Sequence, residues 1–329
     1  MNNVSNNTRK LLALSRLKGV GASTLRKISV LSDFQQLSID EIASRIPGVA
    51  KALLENSAWK IAVDFAEKQI DEAARTDSHI LSTFDAAYPT LLASTRDDPM
   101  LIFVRGRLSP NSQGAVAIIG TREPTPHGTL IAQRISQFFV NANWSVVSGL
   151  AIGCDAIAHQ AVIDAGGHTV AVLAHGLHMV APTRHRKLAD EILASGGALV
   201  SEYPFGHGAL PQQFVKRDRT QAGLARGVVM IQSDLKGGSL HASRASLEYE
   251  RWLAVPYPTE LDLRNSEPKI QANLLIASGG AAAKGDLLRC QPSALDQVLI
   301  LRSKDDYSKM TDSTVAFERP SFPSQSSFI

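Results

Sequence analysis

The sequence is poor in the features that mark secreted, membrane-spanning and metal-stabilised proteins. Its 329 residues include two cysteines, Cys154 and Cys290, which lie far apart without a CxxC partner, so neither a disulfide framework nor a structural zinc site is expected. The longest apolar runs, 101–104 and 115–119, have the length of a strand and are too short to cross a bilayer. The N-terminus is polar and lacks the apolar core of a signal peptide. We therefore expect a cytoplasmic protein without a membrane segment or a metal.

A strong charge of one sign is also missing. The formal net charge is +3, and aromatic residues make up 6% of the chain. An excess this small does not predict nucleic-acid binding by itself, because that prediction needs local clusters of cations. The length and the hydrophobic content of 44% do allow two domains with a buried core.

Residues 1–76 carry apolar side chains at helical spacing, beginning with Leu11, Leu12 and Leu14. Between the first two predicted helices lies the segment 17–22, LKGVGA, which is typical of the turn in a helix-hairpin-helix, where glycines let the backbone approach a phosphate. A plain turn inside a helical bundle explains the same residues equally well. The prediction is a small N-terminal helical domain of the helix-hairpin-helix or SAM-like kind.

From residue 77 to about residue 290, apolar strands alternate with amphipathic helices. The clearest strands are 115–119, AVAII, and 169–173, TVAVL. Continuously apolar strands that alternate with helices indicate a parallel sheet covered on both faces. The predicted fold class is α/β, with a Rossmann-like, doubly wound, mostly parallel sheet. After this region the pattern decays, so residues 291–329 are predicted to form a flexible tail, with a docking peptide at 317–322 as the less favoured alternative.

The loops that follow the predicted strands share a composition of glycine with serine, threonine or a cation. Their members are Gly120, Thr121 and Arg122 after the first strand, Ser148, Gly149 and Gly153 after the second, and Gly238 and Ser239 after a later one. The carboxyl ends of parallel strands meet at one edge of a sheet, where the N–H groups of helix N-termini bind anions. Glycines make tight turns in any α/β domain, but their repetition in several loops favours a ligand that carries phosphate.

The usual cofactor motifs do not occur in these loops. No GxGxxG follows the first strand, and the chain contains no GxxxxGK[ST], so neither a dinucleotide cofactor nor ATP hydrolysis by a P-loop is expected. The segment 214–221, FVKRDRTQ, places three cations after an aromatic ring. Cations neutralise phosphates and a ring can stack an unpaired base, so this segment is a candidate for contact with single-stranded nucleic acid.

Ordered sequence blocks between about residues 84 and 276 resemble the motifs of one known family. The segment 148–159, SGLAIGCDAIAH, is similar to SGLARGIDxxAH, and the segment 214–224, FVKRDRTQAGL, is similar to FxxRNRxxAGL. Further blocks are GTR at 120–122, TVAVL at 169–173, SEYP at 201–204, GSL at 238–240 and EYERWLAVP at 248–256. On these blocks the chain resembles the DNA-processing protein DprA (Smf) family.

This resemblance implies that the protein binds and protects single-stranded DNA, loads a RecA-type recombinase during natural transformation and forms a homodimer, without catalysis and without a cofactor. The residues that match the family's phosphate contacts are Arg122, Lys216, Arg217 and Arg219. The matching backbone cradle contains Gly149, Gly153, Gly238 and Ser239, together with Gly120, Thr121 and Ser148 in the same loops.

The chain departs from the family pattern at three positions. Asp218 stands where the family has asparagine, Ile152 replaces an arginine, and Gln232 replaces a glutamate. The first two changes remove positive charge from the expected phosphate site or add negative charge to it. A divergent role, for example in a mobile-element or defence locus, therefore stays open.

Arrangements that would indicate an enzyme or a metal are less favoured. Asp155 and His159 lie four residues apart near Ser148, but such a pair is more often a local helical contact than part of a hydrolase triad. The segment 236–248 distantly resembles the PGGxGTxxE of nucleotide phosphoribohydrolases, with its next acid, Glu248, at the wrong offset.

A metal site built from His175, His178 and His185 lacks an acid or a cysteine at a familiar spacing. We therefore predict a DNA-binding protein that is not an enzyme. A sensor or hydrolase of a small nucleotide is the alternative.

Overall fold

The computed structural model describes residues 4–108 and 114–312. The chain divides into two compact units, one that runs up to Arg105 and one that begins at Gly106. This division lies later than the boundary predicted at residue 76, because the two strands that follow the helices pair with each other, as Ile80 with Phe103.

The first unit consists of helices followed by an antiparallel pair of strands. Its elements are α1 (Asn6–Arg16), α2 (Ala22–Ser29), α3 (Ile39–Arg45), α4 (Pro47–Leu53), α5 (Ala58–Arg75), β1 (Ser78–Ser82), α6 (Thr90–Ala93) and β2 (Leu101–Gly106). The helices bury the apolar positions that predicted them, with Leu11 and Leu14 fully enclosed. Gly19, between α1 and α2, has a φ of +79°, which lies in the left-handed region that favours glycine. The predicted helical N-terminal part is confirmed.

The second unit contains a parallel sheet of seven strands. These are β3 (Ala115–Ile119), β4 (Ser145–Ser148), β5 (Thr169–Leu173), β6 (Ala198–Ser201), β7 (Gly227–Met230), β8 (Trp252–Pro256) and β9 (Val298–Leu301). They lie in the order β6-β5-β4-β3-β7-β8-β9, and every neighbouring pair is parallel. The first six strands are buried throughout, as expected where helices cover both faces. The predicted Rossmann-like α/β fold is confirmed.

Helices connect these strands and cover the sheet. They are α7 (Pro126–Asn141), α8 (Cys154–Asp164), α9 (Arg186–Ala194), α10 (Pro211–Gly223), α11 (Ser239–Glu248), α12 (Glu260–Arg264), α13 (Gln271–Ser278), α14 (Ala281–Leu288) and α15 (Lys309–Asp312). Phe139 of α7 stacks near Trp144 and Trp252 in the core on one face. Among residues 4–108 and 114–312, no helix is both long and apolar enough to span a membrane.

The prediction of a flexible tail from residue 291 onwards is wrong for residues 291–312. The run 298–301, VLIL, forms β9 and pairs with β8, Leu253 opposite Val298. Beyond it, Tyr307 and Met310 are buried in the core. A short apolar strand among serines, acids and prolines has too weak a local pattern to be distinguished from a tail, and it becomes stable only when it pairs with β8. Residues 313–329, which include the predicted docking peptide, lie outside the described part of the chain.

Candidate nucleic-acid interface

A cavity of about 560 Å³ lies at the carboxyl edge of the sheet, between β3 and β7. The strand order reverses here, since β4 to β6 lie on one side of β3 and β7 to β9 on the other. Open parallel sheets form a crevice at such a point because the two following connections leave toward opposite faces. Parts of the segments 119–122 and 233–239 line the cavity, together with residues of α8 and α10. The topology therefore creates a cavity beside the loops that the sequence indicated as candidates.

The loop after β3 forms one wall of the cavity. Gly120 is required there because a Cβ would lie 2.5 Å from Sγ of Cys154. Thr121 is anchored, its N–H donating to the carbonyl of Gln232 at 2.8 Å. Arg122 is exposed and lines the cavity. Of the cations predicted to bind phosphate, Arg122 has the position that the prediction requires.

Three residues of the loop after β4 that were predicted to cradle phosphate make contacts within the protein. The Ser148 hydroxyl donates to the carbonyl of Ile118 at 2.6 Å, and the N–H of Gly149 donates to Oδ2 of Asp155 at 3.1 Å. Gly153 has a φ of +82°, and a Cβ there would lie 2.4 Å from the carbonyl oxygen of Thr121. These three predicted residues shape the loop from behind and are not part of the cavity lining.

Arg217, predicted to contact phosphate, lines the cavity and is buried, with 5% of its surface exposed. Its Nη1 donates to the carbonyls of Gly149 and Val172, and its Nε donates to Oδ1 of Asp218 at 3.1 Å. These bonds join α10 to the ends of β4 and β5. Burial raises the pKa of Asp155, while the charge of Arg217 lowers it. Arg217 therefore neutralises buried acids and holds α10 in place.

Arg219 and Lys216, also predicted to contact phosphate, do not line the cavity. Nη2 of Arg219 donates to Oε2 of Glu202 at 2.7 Å, and Thr220 bonds the other oxygen of the same carboxylate. Lys216 is exposed on α10 but does not line the cavity. The charge of Lys216 faces solvent, whereas the charge of Arg219 is paired with Glu202.

The cavity contains a cation that the sequence did not indicate, Lys269, and an aromatic ring that it did, Phe214. Lys269 lines it, with Nζ 3.6 Å from Oε2 of Glu123 and 3.9 Å from Oδ2 of Asp234. It follows β8 in a short 3-10 turn, Pro268–Ile270, and no local motif marks it. Phe214 of α10 is half-buried in the wall and offers a ring surface. A cation and an aromatic ring thus join Arg122 at one site.

The loop after β7 leads into the N-terminus of α11. Asn273 fixes this loop, its Oδ1 accepting from the N–H of Ser233 at 2.9 Å and its Nδ2 donating to the carbonyl of Ile231 at 2.9 Å. Gly238 and Ser239 line the cavity, and a Cβ on Gly238 would meet nothing within 4 Å. The N–H groups of Leu240 and His241 donate to the carbonyls of Gly237 and Gly238 at 3.2 and 2.9 Å, so it is the positive end of the helix dipole that favours an anion here.

The residues considered for catalysis or metal binding have structural partners. Nδ1 of His159 lies 2.7 Å from Oγ1 of Thr169, and burial lowers the pKa of His159 to about 3, so the ring is neutral near pH 7. His175 accepts a hydrogen bond from the N–H of Ala181, and Nδ1 of His185 bonds the carbonyl of Leu150. Across the described ranges, no three histidine, cysteine or acidic residues are grouped to hold a metal ion.

Comparison with known proteins assigns the family. Residues 79–286 match the family model of the DNA recombination-mediator protein A. The chain belongs to this family. The resemblance to DprA (Smf) proteins that the sequence blocks indicate is thereby confirmed.

Curated members of the family share about a third of their aligned residues with this chain. Protein Smf of Synechocystis sp. is 32% identical over 252 residues, 73% of this chain and 62% of that protein. Protein Smf of Escherichia coli is 33% identical over 201 residues, 60% of this chain and 54% of that protein. DNA processing protein DprA of Bacillus subtilis is 36% identical over 171 residues, 51% and 57% of the two chains. The chain thus matches between 54% and 62% of the length of these relatives.

Solved structures show the same fold. DprA from Streptococcus pneumoniae has a TM-score of 0.64 at 24% identity, covering 93% of this chain and 98% of its own. DprA from Helicobacter pylori, whose structure concerns its single-stranded DNA binding mode, has a TM-score of 0.54 at 26% identity, covering 63% of this chain and 90% of its own.

Proposed function

We propose that this protein binds single-stranded DNA at the carboxyl edge of its parallel sheet without catalysing a reaction. The observation that carries the proposal is the cavity between β3 and β7, where Arg122, Lys269 and Phe214 converge. Family membership supports DNA as the ligand, and the Helicobacter pylori relative, at 26% identity, binds single-stranded DNA.

The groups in the cavity suit the parts of a nucleotide. Phosphates lie against Arg122, Lys269 and the N-terminus of α11 at Ser239, where the positive end of the helix dipole adds to the charge of the two side chains. An unpaired base stacks on the ring of Phe214. A duplex holds its bases against each other and offers none to the ring, so the site favours single strands.

Removing both cations from the cavity is expected to weaken DNA binding at least tenfold near 0.1 M salt. The variant Arg122→Ala with Lys269→Ala loses about two phosphate contacts, so the slope of log K against log salt becomes shallower by about 1.4. Fluorescence anisotropy with a labelled oligonucleotide of about 20 nucleotides measures both quantities.

The matched control is Arg186→Ala with Lys187→Ala, which removes two cations from exposed positions on α9 that do not line the cavity. It should bind DNA nearly as the unaltered protein does. If the control and the double variant lose affinity equally, the interaction depends on overall charge and the cavity is not the binding site.

Family membership also motivates the wider role. We propose that the bound strand is protected and passed to a RecA-type recombinase in the cytoplasm, during DNA uptake or recombination, by a homodimer of this chain. Light scattering of the purified protein gives its mass in solution, and a nuclease-protection assay with and without recombinase examines the transfer. A monomer at all concentrations would remove the dimer from the proposal.

A small-nucleotide sensor is the second candidate, favoured by one observation. The cavity volume of about 560 Å³ lies in the range of small-ligand sites. Such a sensor would be saturated by a mononucleotide, whereas a strand-binding protein gains affinity as nucleotides are added.

A further inference from the structure

Three carboxylates, those of Asp155, Asp218 and Asp234, line the cavity beside the cations Arg122, Arg217 and Lys269. Asp218 belongs to the cavity lining, and 14% of its side chain is exposed. An acid repels the phosphates that Arg122 and Lys269 attract. Its presence on the cavity wall therefore suits a different part of the ligand.

The carboxylate of Asp218 is held in one orientation. Its Oδ1 accepts hydrogen bonds from Nε of Arg217 at 3.1 Å and from Nε2 of Gln221 at 3.0 Å. Both donors are fixed, because Arg217 also bonds two backbone carbonyls and Gln221 is only 2% exposed. Among residues 4–108 and 114–312, no group donates to the other oxygen, Oδ2. The cavity thus contains a preorganised acceptor with unused capacity.

Gln221 is oriented for its bond to this acid. Its Oε1 is buried and has no hydrogen-bond partner within the described part of the chain, an arrangement that costs free energy. The amide cannot be reversed, because Oε1 would then face a carboxylate oxygen of Asp218. This unfavourable arrangement of Gln221 persists because its Nε2 donates to Asp218 and fixes the orientation of that carboxylate.

We infer that Asp218 selects guanine as the base that enters the cavity, an inference that rests on the proposed binding of single-stranded DNA. Guanine has two adjacent donors, N1–H and the N2 amino group, on the edge that an unpaired base exposes. The free oxygen Oδ2 has two lone pairs, so it can accept from both donors while Oδ1 stays bonded to Arg217 and Gln221. Adenine and cytosine place an accepting ring nitrogen beside their amino group, and thymine places carbonyl oxygens on both sides of its single donor. Their lone pairs would face the carboxylate.

The position of the stacking ring supports this arrangement. Phe214 precedes Asp218 by four residues on α10, so the two side chains share one face of the helix. Both line the cavity, and the guanidinium carbon of Arg217 lies 6.0 Å from the centre of the ring. A base stacked on Phe214 would therefore lie on the same helix face as Asp218, within the same cavity.

The ionisation of Asp218 provides an independent readout. Burial raises the pKa of Asp218 to about 6, Arg217 and Arg122 oppose this rise, and Asp155 on α8 adds to it. The remaining charged residues that line the cavity are Asp234 and Lys269. Above about pH 6 the ionised carboxylate accepts from guanine, and below it a proton occupies one oxygen. The preference for guanine is therefore present at neutral pH and fades as the pH falls through about 6.

The test compares two labelled strands of about 20 nucleotides, one of thymidine alone and one with isolated guanines at regular intervals. At about pH 7.5 the guanine-containing strand is expected to bind about tenfold more tightly, and inosine in place of guanine should lower this preference because it lacks the N2 amino group. Asp218→Asn keeps the shape and removes the charge. In this variant the thymidine strand should bind more tightly, and the two strands should bind alike.

Each outcome separates the inference from the proposed function. Equal affinity of the unaltered protein for the two strands, or a preference that survives Asp218→Asn, would overturn the role of Asp218 while leaving DNA binding in place. Failure to bind either strand would overturn the proposed function itself. If Asp218→Asn does not fold, the unaltered protein at about pH 5 decides the matter, since a guanine preference unchanged from pH 7.5 contradicts the inference.

Discussion

Arg217→Ala is expected to destabilise the protein by about 3–5 kcal/mol, the usual cost of removing one partner from a buried ion pair. The change leaves the carboxylates of Asp155 and Asp218 without their buried cation, and it removes the donors to the carbonyls of Gly149 and Val172. Urea unfolding followed by circular dichroism measures the loss.

The pH dependence of this variant has a definite sign. Without Arg217, the pKa values of Asp155 and Asp218 rise further above their unfolded values, so the folded chain binds more protons than the unfolded chain. Stability of the variant then increases as the pH falls, and the deficit should be smaller near pH 5 than near pH 8. Lys216→Ala, one position earlier on the exposed face of α10, is the control and should be nearly neutral. A normally stable Arg217→Ala that fails to bind DNA would instead assign Arg217 directly to phosphate.

Arg251→Ala is expected to cause a loss of similar size for a different reason. Arg251 is 2% exposed, and its Nη1 donates to the carbonyls of Ala222, Gly223 and Ala225 at 2.6–2.9 Å. The carbonyls of Ala222 and Gly223 belong to the last turn of α10, and that of Ala225 follows it. The carbonyl of Ala222 also accepts from the N–H of Ala225 at 3.1 Å, so it is the carbonyls of Gly223 and Ala225 that depend on Arg251. Each buried carbonyl left without a donor costs about 1–3 kcal/mol, and the truncated side chain also leaves a cavity.

The control for this prediction is Arg264→Ala, which removes an exposed arginine paired with Glu260 on α12. An exposed pair of this kind contributes about 0–1 kcal/mol. Burial lowers the pKa of Arg251 to about 10, so the side chain is still charged at neutral pH. If both variants unfold at the same urea concentration, Arg251 does not stabilise the end of α10.

The sequence predicted the parallel sheet, the carboxyl edge at which the glycine loops meet, and the family. All three depend on patterns that repeat along the chain. Continuously apolar strands such as 115–119 must be buried on both faces, and the glycine loops that follow them must meet at one edge. The sequence also placed Arg122 at this edge.

The roles of the other cations could not be predicted in the same way. A run such as Lys216, Arg217 and Arg219 shows that cations are present but not which way each side chain points. Helical geometry turns successive side chains toward different surroundings. Arg217 faces backbone carbonyls, Arg219 faces Glu202, and Lys216 faces solvent. Lys269 reaches the cavity from a segment far along the chain, a proximity that only the fold establishes.

The glycines indicated where the loops pack closely against one another, and they were less informative about contact with a ligand. Gly149 and Gly153 permit close packing against Arg217 and the loop after β3, so their role is to allow the loops to pass one another. Gly238 alone among these three lies open at the cavity. A glycine-rich strand end therefore indicates where a ligand site is, while the side chains around it decide what binds.

The most direct test of single-stranded DNA binding is an anisotropy titration with labelled oligonucleotides of increasing length, alongside a duplex of equal length, over a series of salt concentrations. The predicted result is affinity that rises with length, falls steeply with salt and is at least tenfold weaker for the duplex. Saturation by a mononucleotide with no gain from longer strands, or no binding of any strand, would contradict the account.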